Sequence, residues 1–140
     1  MAAIDNIRAT MVLQQMLGNT ATAFTGAAAP MCIRLMTANG SMTVNGSALV
    51  AGGYASTGLS GNFGAATTGA GGPTCNGMTA AAALSWTASG VNWSVTGFEI
   101  WDTAATPLRW WFGTFTGGTV TVNIGQILQI AQNAISVSLS

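Results

Sequence analysis

The feature that most restricts this chain is a period-two alternation that takes over in its last third. Trp93 to Asp102 and Leu108 to Thr116 flank a Thr-Ala-Ala-Thr-Pro connection, and Thr119 to Ile124, Gln126 to Ala131 and Ala134 to Leu139 follow in alternating register. Successive side chains on a strand point to opposite faces, so such runs bury one face and wet the other. Short strands at this spacing predict an antiparallel β-sandwich or small barrel. If Trp101 faces Arg109 across the connection, then Phe98, Ile100, Leu108, Trp110 and Phe112 share the core side. Glu99, Trp101, Arg109 and Trp111 then share the other side, with a guanidinium between two indoles and a carboxylate diagonal to it. A slip of one residue exchanges the two faces.

The same alternation begins at Met31, where Ile33, Leu35 and Thr37 share its face and Cys32, Arg34 and Met36 share the other. Asn39-Gly40 and Asn45-Gly46 are turn dipeptides. A strand is expected around Leu49 to Thr57. Asn62 to Asn76 holds only Phe63 as a large apolar residue among Gly, Ala and Thr, and reads as a long loop or extended arm. Met78 to Trp86 divides between helix, from Ala80 to Ala83, and strand, from Thr79, Trp86 and Thr87. Before all this, Ile4, Ile7, Met11, Val12, Met16 and Leu17 recur at three and four residues, which predicts one helix stopped by Gly18-Asn19. Asp5 falls in its first turn, where the helix dipole favours a carboxylate. The alternative is an arm that orders only against a neighbour, since an isolated helix of this length is marginal in water. The division is therefore residues 1–20 as an N-terminal helix or arm and 21–140 as a single β domain. The expected core is Ile33, Leu35, Phe98, Ile100, Trp110, Phe112, Val122 and Ile135.

Charge narrows the function. An ordinary soluble domain of 140 residues carries about 35 charged side chains. This one has six, Asp5, Arg8, Arg34, Glu99, Asp102 and Arg109, with no Lys, no His and zero net charge. Nucleic acid and anionic membrane surfaces are excluded as partners, because neither counterion release nor polybasic attraction has cations to work with. No window reaches the roughly 20 apolar residues of a membrane span. Ile4 to Leu17 is a poor secretory signal, with Asp5 where basic residues belong and Gln14-Gln15 inside the apolar run. Polar character rests on 19 Thr, 10 Ser, 9 Asn and 5 Gln, and neutral surfaces of this kind favour association.

The inventory for catalysis is nearly empty. Without His or Lys no residue is an obvious base, and Glu99 and Asp102, three apart on a strand, point to opposite faces and cannot flank one bond. Gly69 to Gly72 lacks the Lys and the strand-to-helix setting of a phosphate loop. Cys32 and Cys75 allow one disulfide or two buried thiols, and without His they do not complete a tetrahedral metal site. No catalytic residue, metal site or cofactor is expected. The indoles raise the question of sugar stacking; Trp110 alternates with Leu108 and Phe112 and reads as core, while Trp101 and Trp111 suit a subunit contact better than a glycan.

The segments Val-Thr-Gly-Phe-Glu-Ile-Trp-Asp-Thr-Ala from Val95, Leu-Arg-Trp-Trp-Phe-Gly-Thr-Phe from Leu108 and Ile-Gly-Gln-Ile-Leu-Gln-Ile from Ile124 resemble a family of small tailed-bacteriophage virion proteins. Its usual pattern runs V-x-x-V-G-I-[FW]-D-A-A, L-L-[FWY]-x-G-x-L and V-x-x-G-D-x-[LV]-x-[FI]. Leu17-Gly18-Asn19-Thr20, the strand Met31 to Thr37 and Gly52-Gly53-Tyr54-Ala55 resemble further landmarks, so the likeness covers most of the chain. It departs where the family has Gly-Asp and this chain Gly125-Gln126, and where a Lys or Arg after Tyr-Ala is Ser56; both changes remove charge. Members are described as head-decoration, minor tail or tail-fibre proteins. The resemblance implies a structural virion protein without catalytic residues. The expectation is a capsid decoration (cement) protein on the head surface, assembled in the host cytoplasm as a homotrimer against the major capsid protein. The alternative is a tail-tube, baseplate or tail-fibre protein, with a host-glycan contact on Trp101 and Trp111. Expected subunit-contact residues are Trp101, Arg109, Trp111, Glu99, Ile4, Ile7 and Met11.

Overall fold

The computed structural model describes residues 2–18, 26–55, 59–61, 67–69, 72–76, 83–131 and 134–138. In chain order these form β1 (Ala2–Ile4), α1 (Asn6–Met16), β2 (Met31–Ala38), β3 (Ser47–Ala48), β4 (Leu59–Gly61), β5 (Thr67–Gly69), β6 (Gly72–Asn76) and β7 (Leu84–Thr87). There follow β8 (Trp93–Val95), β9 (Gly97–Trp101), β10 (Arg109–Thr114), β11 (Val120–Val122), β12 (Ile127–Ile130) and β13 (Ser136–Ser138). The chain is mainly antiparallel β with an N-terminal helix, as the alternation predicts.

The largest sheet runs β1-β10-β9-β2-β3, with β4 also pairing β2. One of its faces presents Ile33, Leu35, Phe98 and Ile100, set by the registers Ile33↔Ile100 and Leu35↔Phe98. Against that face pack the hairpin-like pairs β8–β11 and β7–β12, which contribute Trp93, Val95, Val122, Leu84, Trp86 and Ile130 to one core. The layers remain open and sandwich-like among the described residues. The run from Trp93 is divided at Thr96, whose N–H and hydroxyl both donate to the Met36 carbonyl at 2.8 and 3.2 Å. That break lets β8 pair with one layer and β9 with the other, the means by which strands change sheets in a sandwich.

Several expectations need correction. The segment expected as a long loop or extended arm from Asn62 to Asn76 contains β5 and β6, which pair with each other, and β6 pairs also with β13. Threonines at 67, 68 and 74 suit strands, and the partner for β6 comes from the far end of the sequence, where local reading has no access to it. The strand expected from Leu49 to Thr57 is absent among its described residues, 49–55, and β3 ends just before it; Leu49 is buried and donates its N–H to Leu35 at 2.9 Å, and Gly52 and Gly53 then turn the chain. Residues 56–57 and 78–82 lie outside the described ones, and Leu84–Thr87 is a strand. Cys32 is a free thiol.

The most consequential correction concerns β10. Arg109 does face Trp101, but the next partners are Trp111↔Ile100 and Phe112↔Glu99, so a β-bulge places Trp110 as an extra residue. A bulge leaves two residues opposite one and re-aims the side chains beyond it. Trp111 therefore turns toward the core and packs against it, while Phe112, expected in the core, moves to the opposite face. Leu108 is left exposed. Trp110 is buried as expected, but beneath the N-terminal helix rather than in the main core. The other expected core residues, Ile33, Leu35, Phe98, Ile100, Val122 and Ile135, are all in it.

Candidate functional site

Five of the six charged residues are buried: Asp5, Arg8, Glu99, Asp102 and Arg109. Arg34, Glu99 and Arg109 lie on the face of the large sheet that turns away from the main core, where Asp5 reaches Arg109. Arg34 and Glu99 are cross-strand neighbours there, and Arg109 comes from β10 just before the bulge. The lid over them is the loop 39–46 together with the start of α1.

Arg109 organises the cluster. Its Nε and Nη2 donate to Asp5 Oδ2 at 3.0 and 2.6 Å, and its Nη1 donates to Glu99 Oε1 at 2.9 Å. Nη1 also donates to the Val44 carbonyl at 2.8 Å and Nη2 to the Ser41 carbonyl at 2.6 Å. A guanidinium has five N–H donors, and every one is matched. One face of the group lies 4.8 Å from the Phe112 ring centroid, so the displaced phenylalanine serves as its cover. Burial pushes the Arg109 pKa down, but the hydrogen bonds and charges of Asp5 and Glu99 outweigh it and raise it above its ordinary value.

The two carboxylates are equally engaged. Asp5 is the N-cap of α1, accepting from the Ile7 N–H at 3.0 Å through Oδ1 while Oδ2 holds Arg109. The sequence expectation put it one position inside the helix. Glu99 Oε1 also accepts from the Gly46 N–H at 2.6 Å, and Oε2 accepts from the Trp101 indole at 2.9 Å. Loop 39–46 closes on itself through Ser41 N–H to Val44 O at 2.8 Å and caps the helix through Asn6 N–H to Met42 O at 3.0 Å. One arginine thus joins the N-terminus, a loop and two strands.

The remaining charges flank this centre. Asp102 closes its own connection, accepting from the Leu108 N–H at 2.9 Å and from Trp110 Nε1 at 2.9 Å. Burial raises the Asp102 pKa, but bonds from Trp110, Leu108 and Ala104, with the Arg8 charge, prevail and hold it below the usual carboxylate value. Arg8 lies 5.0 Å from the Trp110 ring centroid and Arg34 4.2 Å from that of Trp101. The Nε atoms of both are buried without a hydrogen-bond acceptor, and the indole faces supply their electrostatic cover. A cleft of about 180 Å³ beside the cluster is bordered by Asp5, Arg8, Asn45, Trp101 and Arg109. Within it Asp5 and Arg109 are engaged with each other and Arg8 is turned onto Trp110.

Of the expected contact residues, Glu99 and Arg109 are buried within the chain, enclosed by its own loop and helix. Trp111 packs on the core, and Trp101 is half-buried, with Arg34 over one face of its ring and its indole N–H bonded to Glu99. Ile4 and Met11 are half-buried, and Ile7 is exposed. Sequence reasoning missed what lies beyond Ile7. Leu13, Met16 and Leu17 are 57, 78 and 76 % exposed, and the only buried residue of α1 is Arg8. The helix is inverted, with its charge turned in and Ile7, Leu13 and Met16 turned out. The available signal was that apolar residues occur on every side of it, a pattern ordinary surface helices lack. No family model, no curated protein and no solved structure matches this chain.

Proposed function

We propose that the protein is a structural subunit of a bacteriophage virion, a capsid decoration protein that packs against copies of itself and against the major capsid protein. The observation that carries this reading is the emptied exterior: the chain turns five of its six charged side chains inward and leaves Ile7, Leu13, Met16 and Leu17 in water. A surface so poor in ionised groups has little to keep copies apart, and exposed apolar residues gain by being covered. The resemblance of the segments from Val95, Leu108 and Ile124 to virion proteins supplies the setting, and a cement role requires only burial of apolar area at subunit contacts. No reaction is proposed for it.

Two measurements test this. Light scattering on the purified chain is expected to give a homo-oligomer, with a trimer as the expected state. Mass spectrometry of separated phage heads and tails is expected to find the chain with the heads. Recovery from tails alone replaces decoration by a tail role, and absence from both overturns the virion reading.

A further inference from the structure

The cleft of about 180 Å³ at the start of α1 is bordered by Arg8, a buried cation to which the chain gives no carboxylate. We propose that Arg8 makes this cleft a receptor for one carboxylate on a short apolar stem, supplied by a free small acid or by an acidic side chain of another protein. The inference stands apart from the virion reading and needs only the folded chain.

Arg8 is 6 % exposed, and its donors are poorly matched. Nε is buried with no acceptor, and Nη1 donates to Met11 Sδ at 3.0 Å, a weak acceptor. The Trp110 ring covers one face of the guanidinium, but the N–H groups lie in its plane, where a ring face gives them no lone pair. No carboxylate of the cluster is spare. Asp5 holds Arg109 and the Ile7 N–H, Glu99 is taken by Arg109, Gly46 and Trp101, and Asp102 by Leu108 and Trp110. A buried donor left unmatched is costly, and a charged one more so, which points to an acceptor from outside the chain. Arg34 also has an unmatched Nε, but that residue is only half-buried and keeps contact with water.

The walls select the anion. Besides the engaged Asp5 and Arg109 they consist of Ile7, Trp101, Pro107, Leu108 and the exposed Asn45. Such walls suit an aliphatic stem better than a group of waters, each of which needs several polar partners. Asp5 keeps its negative charge on the same cleft, so a phosphate dianion meets more repulsion than one uncommitted cation offsets. A carboxylate carries a single charge, and its two oxygens match the planar fork of a guanidinium.

Proton–nitrogen correlation NMR of the full chain tests it, because three arginines give three Nε–H signals. Sodium propionate, titrated at constant ionic strength, is expected to move the Arg8 signal to saturation and to leave those of Arg34 and Arg109 in place. Inorganic phosphate is expected to move none of them. Asn45→Asp sets a like charge beside the ligand at an exposed position, and is expected to weaken propionate binding about tenfold or more. Arg8→Met is expected to abolish it, followed at the Leu108 backbone amide. Circular dichroism checks the fold of both variants, and Asn45→Asp decides if Arg8→Met does not fold. Glutamate blocked at both backbone ends separates the sources: binding of both probes supports an acidic side chain as the ligand, and binding of propionate alone supports a free acid. Parallel, unsaturated movement of all three arginine signals is the mark of bulk salt and overturns the site. Phosphate binding as tight as propionate overturns the carboxylate assignment. Unchanged propionate affinity in either folded variant overturns the placement in this cleft.

Discussion

Arg109 shows why a chain so poor in charge keeps any charge at all. Burying an ion is costly unless its partners and hydrogen bonds replace water, and this guanidinium has two carboxylates and two carbonyls around it. Arg109→Met removes the cation and leaves Asp5 and Glu99 buried without it. The expected loss is about 3–5 kcal/mol in urea unfolding. A loss below about 1 kcal/mol, in the range of exposed pairs, would show the cluster to be dispensable. Asp102 sets a pH dependence. Its folded pKa lies below the ordinary 3.8, so its stabilising contribution is present above that value and disappears as pH falls through the folded one. Asp102→Asn is expected to flatten the acid side of the stability profile, measured as unfolding midpoint against pH. A variant profile as steep as the wild type's assigns the acid transition to other groups.

At the scale of elements, the bulge in β10 and the loop 39–46 belong together. The alternation in Leu108 to Thr116 correctly implied a strand opposite β9, and Trp101 does face Arg109. The face assignment beyond Trp110 failed because one inserted residue reverses every later side chain, and nothing local marks which residue is inserted. Trp110, the inserted residue, fills the space under α1; Trp110→Ala is expected to lower stability by about 3–5 kcal/mol, read from the unfolding midpoint. An unchanged midpoint refutes that placement. The Asn-Gly pairs were legible as loop signals, but neither Gly40 nor Gly46 has a positive φ. Their role is close approach. A Cβ on Gly40 would stand 2.5 Å from Arg109 Nη1, and one on Gly46 2.5 Å from the Ala38 carbonyl. Gly40→Ala and Gly46→Ala are each expected to destabilise by about 1–3 kcal/mol, as overpacking does. Gly26→Ala is the control, with open space around its added methyl group; equal effects at all three positions would discount the steric argument.

For the whole molecule, placing the charges under a lid makes stability nearly independent of ionic strength, because buried pairs are screened far less than exposed ones. The unfolding midpoint is expected to stay almost constant from low salt to roughly 1 M, beyond the general salting-out effect seen with an uncharged solute. A midpoint that falls steeply with salt would mean that the ion pairs are open to solvent. The sequence by itself determined the antiparallel β class, the N-terminal helix and most of the core, because alternation, helical spacing and stop residues act over a few neighbouring positions. It also determined that the exterior would be poor in charge, since six ionisable groups cannot populate a surface of this size. Only the tertiary structure decided where those six went. Asp5 meets Arg109 across 104 positions, and a bulge and a loop decide which face they share. Contacts between distant segments have no local signature, so the inward turn of the charges and the outward turn of the apolar helix emerge only when the chain is folded.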